Sequence, residues 1–288
     1  MIEKAFAKIN LALNVVSKRK DNYHNIETVM VPIQFHDSVE VEIVTNTRQE
    51  DDYIICDDFN VAIVKYNLCH KAIDIARKYW KFKEHFNVKI HKNIFLRSGL
   101  GGGSADAAAV IRAIISLLKL KVTDSEIITV CNEIGSDVPF MFYHKPAIVS
   151  GVGEIVNHFE WNGQFKNLNV LLVKPKDGIS TTEVYEKYDS IKNPEHCDVN
   201  KFLKYFLNDD YECIKYRCNS LEKPGIKILP EVSKIKEMLI EQGIDFSFMT
   251  GGGSCVVGLT DNKKLAKKIF KNLYYNSNYE VELTKFLK

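Results

Sequence analysis

The chain of 288 residues sets 39 Lys plus Arg against 37 Asp plus Glu, a net charge of +2, with 45% hydrophobic and 26% charged residues. That length suits one large domain or two intimate ones, and the composition excludes disordered, collagen-like and low-complexity classes. So little net charge cannot supply the electrostatic attraction that nucleic-acid binders need, so an anionic partner must be met by a local site.

In the opening segment Ala5, Ala7, Ile9, Leu11, Leu13 and Val15 recur at period two, which predicts a strand with one apolar face. The other face carries Phe6, Lys8, Asn10 and Asn14, the pattern of a solvated side unless a pocket lies there. A turn at Lys18 to Asn22 leads to strands at Ile26 to Ile33 and from Val39 to Ile43. Asn67 is placed to cap a helix whose stripe is Leu68, Ala72, Ile75, Ala76 and Tyr79, and Val88 and Ile90 mark a short strand. A glycine-rich run then precedes an Ala-rich helix from about Ser104 to Leu118.

Thr123 and Glu126 form a capping box, Gly135 is expected to end that helix in a left-handed turn, and Asp137 followed by Pro139 reads as another helix start. Turns at Gly151 to Gly153 and Asn162-Gly163 place a boundary near residue 160, predicting domains of residues 1–160 and 161–288. Beyond it come a strand at Asn169 to Val173 and helices near Thr182 to Tyr188, Lys201 to Phe206 and Glu231 to Gln242. Strands at Phe246 to Met249 and Cys255 to Leu259 flank a second glycine turn, and the last strand is Tyr279 to Leu283. Lys263, Lys264, Lys267, Lys268 and Lys271 are the wet side of an amphipathic helix rather than a basic patch, because Leu265, Ala266, Ile269, Phe270 and Leu273 fill its other face.

The seven cysteines form no C-x-x-C pair and no zinc-spaced cluster, and their odd number fits a reducing compartment. Charges at Asp106, Arg112 and Lys119 interrupt the longest apolar run, and Glu3, Lys4 and Lys8 deny the N-terminus a secretory apolar core. Cytoplasmic residence, with no membrane and no nucleic-acid partner, is the expectation.

Gly99-Leu100-Gly101-Gly102-Gly103-Ser104 before a helix suits an anion, since bare backbone N–H groups and the positive helix end converge there. The dinucleotide fingerprint fails at Ser104, and no Gly-Lys-Ser/Thr follows for a Walker loop. A tight structural turn is the bland alternative, although four glycines in five positions exceed what a turn requires.

Five segments, in this order, carry a family resemblance: Phe6-Ala7-Lys8-Ile9-Asn10-Leu11, Asp21-Asn22-Tyr23-His24, Gly99 to Ala108, Gly135-Ser136-Asp137-Val138-Pro139-Phe140 and Thr250-Gly251-Gly252-Gly253-Ser254. Together they resemble the GHMP kinases across essentially the whole chain, and within these the branch acting on a cytidylated methylerythritol in the non-mevalonate isoprenoid route. The resemblance implies a two-lobed α+β fold, with a left-handed βαβ crossover in an N-terminal ATP-binding domain and a ferredoxin-like C-terminal domain. It implies ATP with Mg²⁺, transfer of the γ-phosphoryl group to the 2-hydroxyl of the small-molecule acceptor, Asp137 as catalytic acid and Lys8 as catalytic lysine. Phe95-Leu96-Arg97-Ser98-Gly99-Leu100-Gly101-Gly102-Gly103-Ser104-Ala105 matches the ATP-phosphate loop, with Ser104 near the β-phosphate and the metal, which arrives with the nucleotide rather than in a dedicated cage. Asn10, Tyr23, His24, Thr181 and Tyr185 match positions around the acceptor, with Tyr23 and Tyr185 expected to sandwich its base.

The chain departs from the family pattern at Phe6 and Phe95, where Pro is usual, at Asn22 and Arg97, where Gly is usual, and at Gly252, where Ser is usual. Arg97 could bind phosphate directly or obstruct the nucleotide. Another GHMP alcohol kinase would share the loop without paired aromatic residues, and a non-catalytic nucleotide-binding relative would have lost Lys8 or Asp137. The oligomeric state is not readable from the sequence.

Overall fold

The computed structural model describes residues 1–45, 51–58, 67–276 and 279–288. The chain divides into two units, the first made of Met1–Ala7, His36–Ile94 and Gly101–His144, the second of Lys8–Phe35, Phe95–Leu100 and Lys145–Lys288. Two long paired strands, β1 (Ile2–Lys18) and β2 (His24–Ile43), contribute residues to both.

In the first unit, β3 (Tyr53–Cys56), α1 (Leu68–Trp80) and β4 (Phe86–His91) form a β-α-β crossover in which β3 and β4 run parallel. β4 pairs antiparallel with the far end of β2, from Ser38 opposite His91 to Ile43 opposite Phe86. Three further helices follow: α2 (Gly102–Leu117), α3 (Asp124–Ile134) and α4 (Val138–Tyr143). The Asn67 side chain accepts from the Cys69 amide at 2.9 Å, and Thr123 and Glu126 cap α3 reciprocally, as their spacing predicts. α2 buries Ala105, Ala107, Ala108, Ala109, Val110, Ile111, Ala113 and Ile114, so it is apolar nearly all round, as a central helix must be.

In the second unit, the near end of β2 pairs with β5 (Ala147–Gly151), and β5 with β6 (Ile155–His158). Then follow β7 (Asn169–Pro175), α5 (Thr181–Asp189), α6 (Val199–Leu207), α7 (Cys213–Tyr216), α8 (Glu222–Ile228), α9 (Glu231–Glu241), β8 (Phe246–Met249), β9 (Val256–Thr260), α10 (Lys263–Asn276) and β10 (Tyr279–Lys285). The last four strands form an antiparallel sheet in the order β10-β7-β9-β8, the ferredoxin-like order. Leu171 and Val173 of β7, Val256 of β9, Ile235 and Leu239 of α9, and Ile269 and Leu273 of α10 share one core. The lysines of α10 are exposed, as its spacing predicts.

Four sequence readings need correction. The second face of β1 is not wet: Lys8 and Asn10 are only 4% and 2% exposed. At its far end the Leu13 amide donates to Cys218 and the Leu13 carbonyl accepts from Ser220, both at 2.9 Å, so a segment distant in sequence pairs along the strand. The strands expected on either side of Gln34 are one, because β2 changes partner from β5 to β4 while its backbone stays extended. Gly135 has φ of 179°, extended rather than left-handed; the chain turns at once into α4, with the Val138 amide donating to the Gly135 carbonyl at 3.1 Å. Finally, Cys197 and Cys218 are joined in a disulfide with Cα atoms 5.8 Å apart, leaving five free thiols. Their separation of 21 residues carries no motif, so spacing could not reveal the pair.

Candidate active site

Lys8 enters the second unit on β1, where an unpaired ammonium would be costly to bury. Its Nζ donates to Asn10 Oδ1 at 2.6 Å, while Asn10 Nδ2 donates to Thr28 Oγ1 at 2.9 Å. Thr28 in turn donates to the Ala12 carbonyl at 2.6 Å, and the Asn10 amide donates to Thr250 Oγ1 at 2.8 Å. The alternation of β1 brings Lys8 and Asn10 to one face, and the bonds fix which end of the Asn10 amide meets the ammonium. Asn10 is thus first a holder of Lys8. Thr28 has no motif of its own and escaped the sequence reading, and Thr250 entered it only as the first residue of the fifth segment.

The entry half of the glycine-rich loop, Phe95–Leu100, lies in the same unit against the second glycine turn. Ser254 and Cys255 donate their amides to the carbonyls of Arg97 and Ser98 at 3.3 and 3.2 Å. A Cβ on Gly99, whose φ is +77°, would lie 2.3 Å from the Thr250 carbonyl oxygen, so this close approach requires glycine. Asn219 Nδ2 holds the second turn from behind, donating to the carbonyls of Met249 and Gly251 at 3.0 and 2.8 Å. The departures from the family pattern find local accounts. Arg97 and Asn22 have φ of 50° and 67°, where glycine carries no steric cost. Phe95 packs on Phe35 with ring centroids 5.1 Å apart, and Phe6 packs between His36 and His144. A Cβ on Gly252 would meet nothing nearer than 3.8 Å, so serine would fit there.

The exit half of the loop starts α2 in the first unit. α2 begins at Gly102, two residues before the predicted Ser104, because Gly101 with φ of 75° stands at the N-cap. No side chain caps this end and no acidic residue lies in its first turn. Its first amides therefore present positive charge toward any anion. Gly102 is tightly packed, since a Cβ would lie 3.1 Å from Ile94 Cγ2, close enough that the neighbour would have to give. Gly103 is not: it is exposed, and a Cβ would meet only Leu68 Cδ1 at an ordinary 3.7 Å. Asp137, also in the first unit, occupies the N-cap position of α4 without its side chain capping the helix, so its carboxylate is not committed to that task.

Around the expected base-binding residues, the structure brings His24, not Tyr23, onto Tyr185. The His24 and Tyr185 rings stack with centroids 4.7 Å apart and planes at 23°, whereas Tyr23 is 66% exposed at the hairpin tip. Tyr23 lies just before β2 and takes no part in this stack. Asp189, which sequence reasoning missed, fixes the ring: its Oδ1 meets His24 Nε2 at 2.7 Å while its Oδ2 accepts from Lys18 Nζ at 2.6 Å. Burial opposes ionisation of Asp189, but the bonds from Lys18 and His24 outweigh it and hold the carboxyl below its usual range. With Nε2 engaged, only Nδ1 of His24 is left for another partner. Thr181, exposed at the start of α5, lies beside Gly252.

Among the described residues no cluster of His, Cys, Asp and Glu could cage a metal ion, and no helix is long and apolar enough to cross a membrane. The N-terminal GHMP kinase family model matches residues 67–145 and the C-terminal one residues 203–278. A relative from Thermodesulfovibrio yellowstonii, named 4-diphosphocytidyl-2-C-methyl-D-erythritol kinase, is 36% identical over 93% of this chain and 92% of its own. One of the same name from Acetivibrio thermocellus is 33% identical over 98% of this chain and 97% of its own. Among solved structures, a 4-(cytidine 5'-diphospho)-2C-methyl-D-erythritol kinase superposes with a TM-score of 0.79 at 24% identity, covering 99% of both chains. The Methanococcus jannaschii mevalonate kinase superposes with a TM-score of 0.71 at 17% identity over 100% of this chain and 98% of its own, a likeness of fold alone. The chain is therefore a kinase of the GHMP superfamily and belongs to its 4-diphosphocytidyl-2-C-methyl-D-erythritol kinase family.

Proposed function

We propose that this kinase moves the γ-phosphoryl group of ATP onto the 2-hydroxyl of 4-diphosphocytidyl-2-C-methyl-D-erythritol, a cytoplasmic step of the non-mevalonate route to isoprenoid precursors. The observation that carries the nucleotide half is the bare start of α2, where a left-handed Gly101 replaces a capping side chain and Gly103 is left open without a packing reason. Such an end suits the triphosphate, with Phe95 to Ala105 as the loop that receives it. Ser104, in the first turn of that helix, is the hydroxyl suited to a Mg²⁺ ion carried by the phosphates, whose positive charge would offset theirs. The names of the relatives support the acceptor, and the oriented His24 ring with Tyr185, joined by Thr181 and Tyr23, is the proposed place for its cytosine.

In this reading Asp137 takes the proton of the acceptor hydroxyl as its oxygen bonds to the γ-phosphorus and the bond to the β-phosphate oxygen breaks, releasing ADP. Lys8 offsets negative charge at the attacking oxygen. Phosphoryl-transfer transition states are loose, so positioning and electrostatics supply most of the acceleration. The test is ADP release from ATP with the cytidylated methylerythritol, mevalonate, phosphomevalonate or homoserine as acceptor. Turnover confined to the cytidylated compound is expected. Turnover of another alcohol would assign a different GHMP kinase activity, and no turnover with any would leave a nucleotide-binding relative.

A further inference from the structure

We infer that Lys92, bridging Asp37 and Asp106, is a positioning residue that fixes the two ends of the glycine-rich loop relative to each other. This rests on the reading that the loop receives a nucleotide. All three side chains are buried in the first unit, with 5% or less of each exposed. Lys92 Nζ donates to Asp37 Oδ2 and, at 2.8 Å, to Asp106 Oδ2 on the second turn of α2. Asp37 Oδ1 accepts the backbone amides of Asn93 and Ile94 at 2.6 and 2.7 Å, which anchors the chain as it enters the loop. Where the loop leaves, Gly102 sits so close that a Cβ would lie 3.1 Å from Ile94 Cγ2 and 3.2 Å from Lys92 Nζ. One ammonium therefore ties residue 94 to the first turns of α2, and only residues 95–101 are left to bridge fixed ends.

The arrangement is a poor choice for stability alone. Two buried carboxylates share one ammonium, and Asp106 Oδ1 is buried with no hydrogen-bond partner. Apolar side chains of similar volume commonly hold a core as well as a buried ion cluster does. What an ion cluster adds is direction, since each oxygen accepts along a defined line. A loop that must present amides to an anion gains affinity when it is held in place before the anion arrives.

The experiment compares Asp106→Leu, Asp106→Asn and Lys92→Met with the wild type in three measurements: calorimetric binding of ATP with Mg²⁺ in the absence of acceptor, steady-state kinetics, and thermal melting. Asp106→Leu cuts the tie to α2 yet leaves Lys92 paired with Asp37, so the chain should fold. It should weaken ATP binding by about tenfold or more while the acceptor KM changes less than about twofold. Asp106→Asn keeps an oxygen for Lys92 and should stay within about threefold of wild-type ATP affinity. Lys92→Met, if it folds, should resemble Asp106→Leu with a lower Tm. A Leu variant that melts earlier yet binds ATP as the wild type does would reduce the cluster to core packing, and equal damage in the Asn and Leu variants would overturn the bridging role. Wild-type protein that binds no ATP would remove the nucleotide reading and this inference with it. Wild-type protein that binds ATP but phosphorylates another alcohol would leave the inference standing.

Discussion

Lys8 is buried, and its ammonium donates to Asn10 Oδ1 at 2.6 Å, so a neutral side chain on the same strand fixes where its positive charge stands. That is the condition a lysine needs to act on developing negative charge. In the proposed mechanism Asp137, whose side chain does not cap α4, is the base. Asp137→Asn should lower kcat by roughly 10² to 10⁴-fold with a small change in acceptor KM, since the base acts mainly in the transition state. Near-wild-type turnover, measured by ADP release, would remove it from the mechanism. Arg97 offers a second residue-scale test. Its φ of 50° costs about 1 kcal/mol relative to glycine. Its stem is accommodated by Gly178, where a Cβ would lie 2.3 Å from the Arg97 Cβ. Arg97→Gly should therefore raise stability by about 1 kcal/mol in urea titration while raising the KM for ATP severalfold, more so at low salt. A more stable variant with unchanged KM would show that the exposed guanidinium does not meet phosphate.

At the scale of the element, α2 carries the nucleotide reading, and Gly103 isolates it. Replacing a helical glycine by alanine stabilises by about 0.5 to 1 kcal/mol, and the fold leaves room for the methyl group. If the bare position serves an incoming phosphate, Gly103→Ala should melt higher and yet lose about tenfold in kcat/KM for ATP. A higher Tm with unchanged kcat/KM would end that reading of the glycine. Much of this level was legible beforehand. The period-two run in β1, the capping box of α3 and the stripe of α10 state local preferences that tertiary packing left in place. What was not legible depends on distant partners: β2 passes from β5 to β4 across Pro32 and Gln34 without a break, and Cys218 to Ser220 pair along the edge of β1. Likewise, the motifs displayed Lys8, His24, the glycines and Asp137, whereas Thr28, Asp189, Asn219 and Lys92 are revealed only by their hydrogen bonds within each unit. α8 contains Pro224 and Gly225, residues of low helix propensity, so its sequence does not announce a helix.

For the whole molecule, a half-buried imidazole in the first unit ties stability to pH in acid. His144 ends α4 with φ of 50°, its ring edge-on to Phe6 at 5.1 Å, and its buried Nε2 makes no hydrogen bond. Burial, reinforced by the nearby Arg112 charge, pulls its pKa from 6.5 down to about 3. The folded state thus keeps His144 neutral where the unfolded chain would protonate it. This stability is complete above pH 6.5 and is lost as pH falls from there toward about 3, at about 1.4 kcal/mol per pH unit. Between pH 7 and pH 5 the loss should come to about 2 kcal/mol. His144→Asn removes the titration and keeps a residue that tolerates the left-handed backbone. Urea unfolding of both proteins at pH 7 and pH 5 should show the wild type losing about 2 kcal/mol more than the variant, since the other groups titrate alike in both and cancel. Equal losses would mean that the imidazole charges in place without unfolding the protein, and that the acid limit is set by other groups.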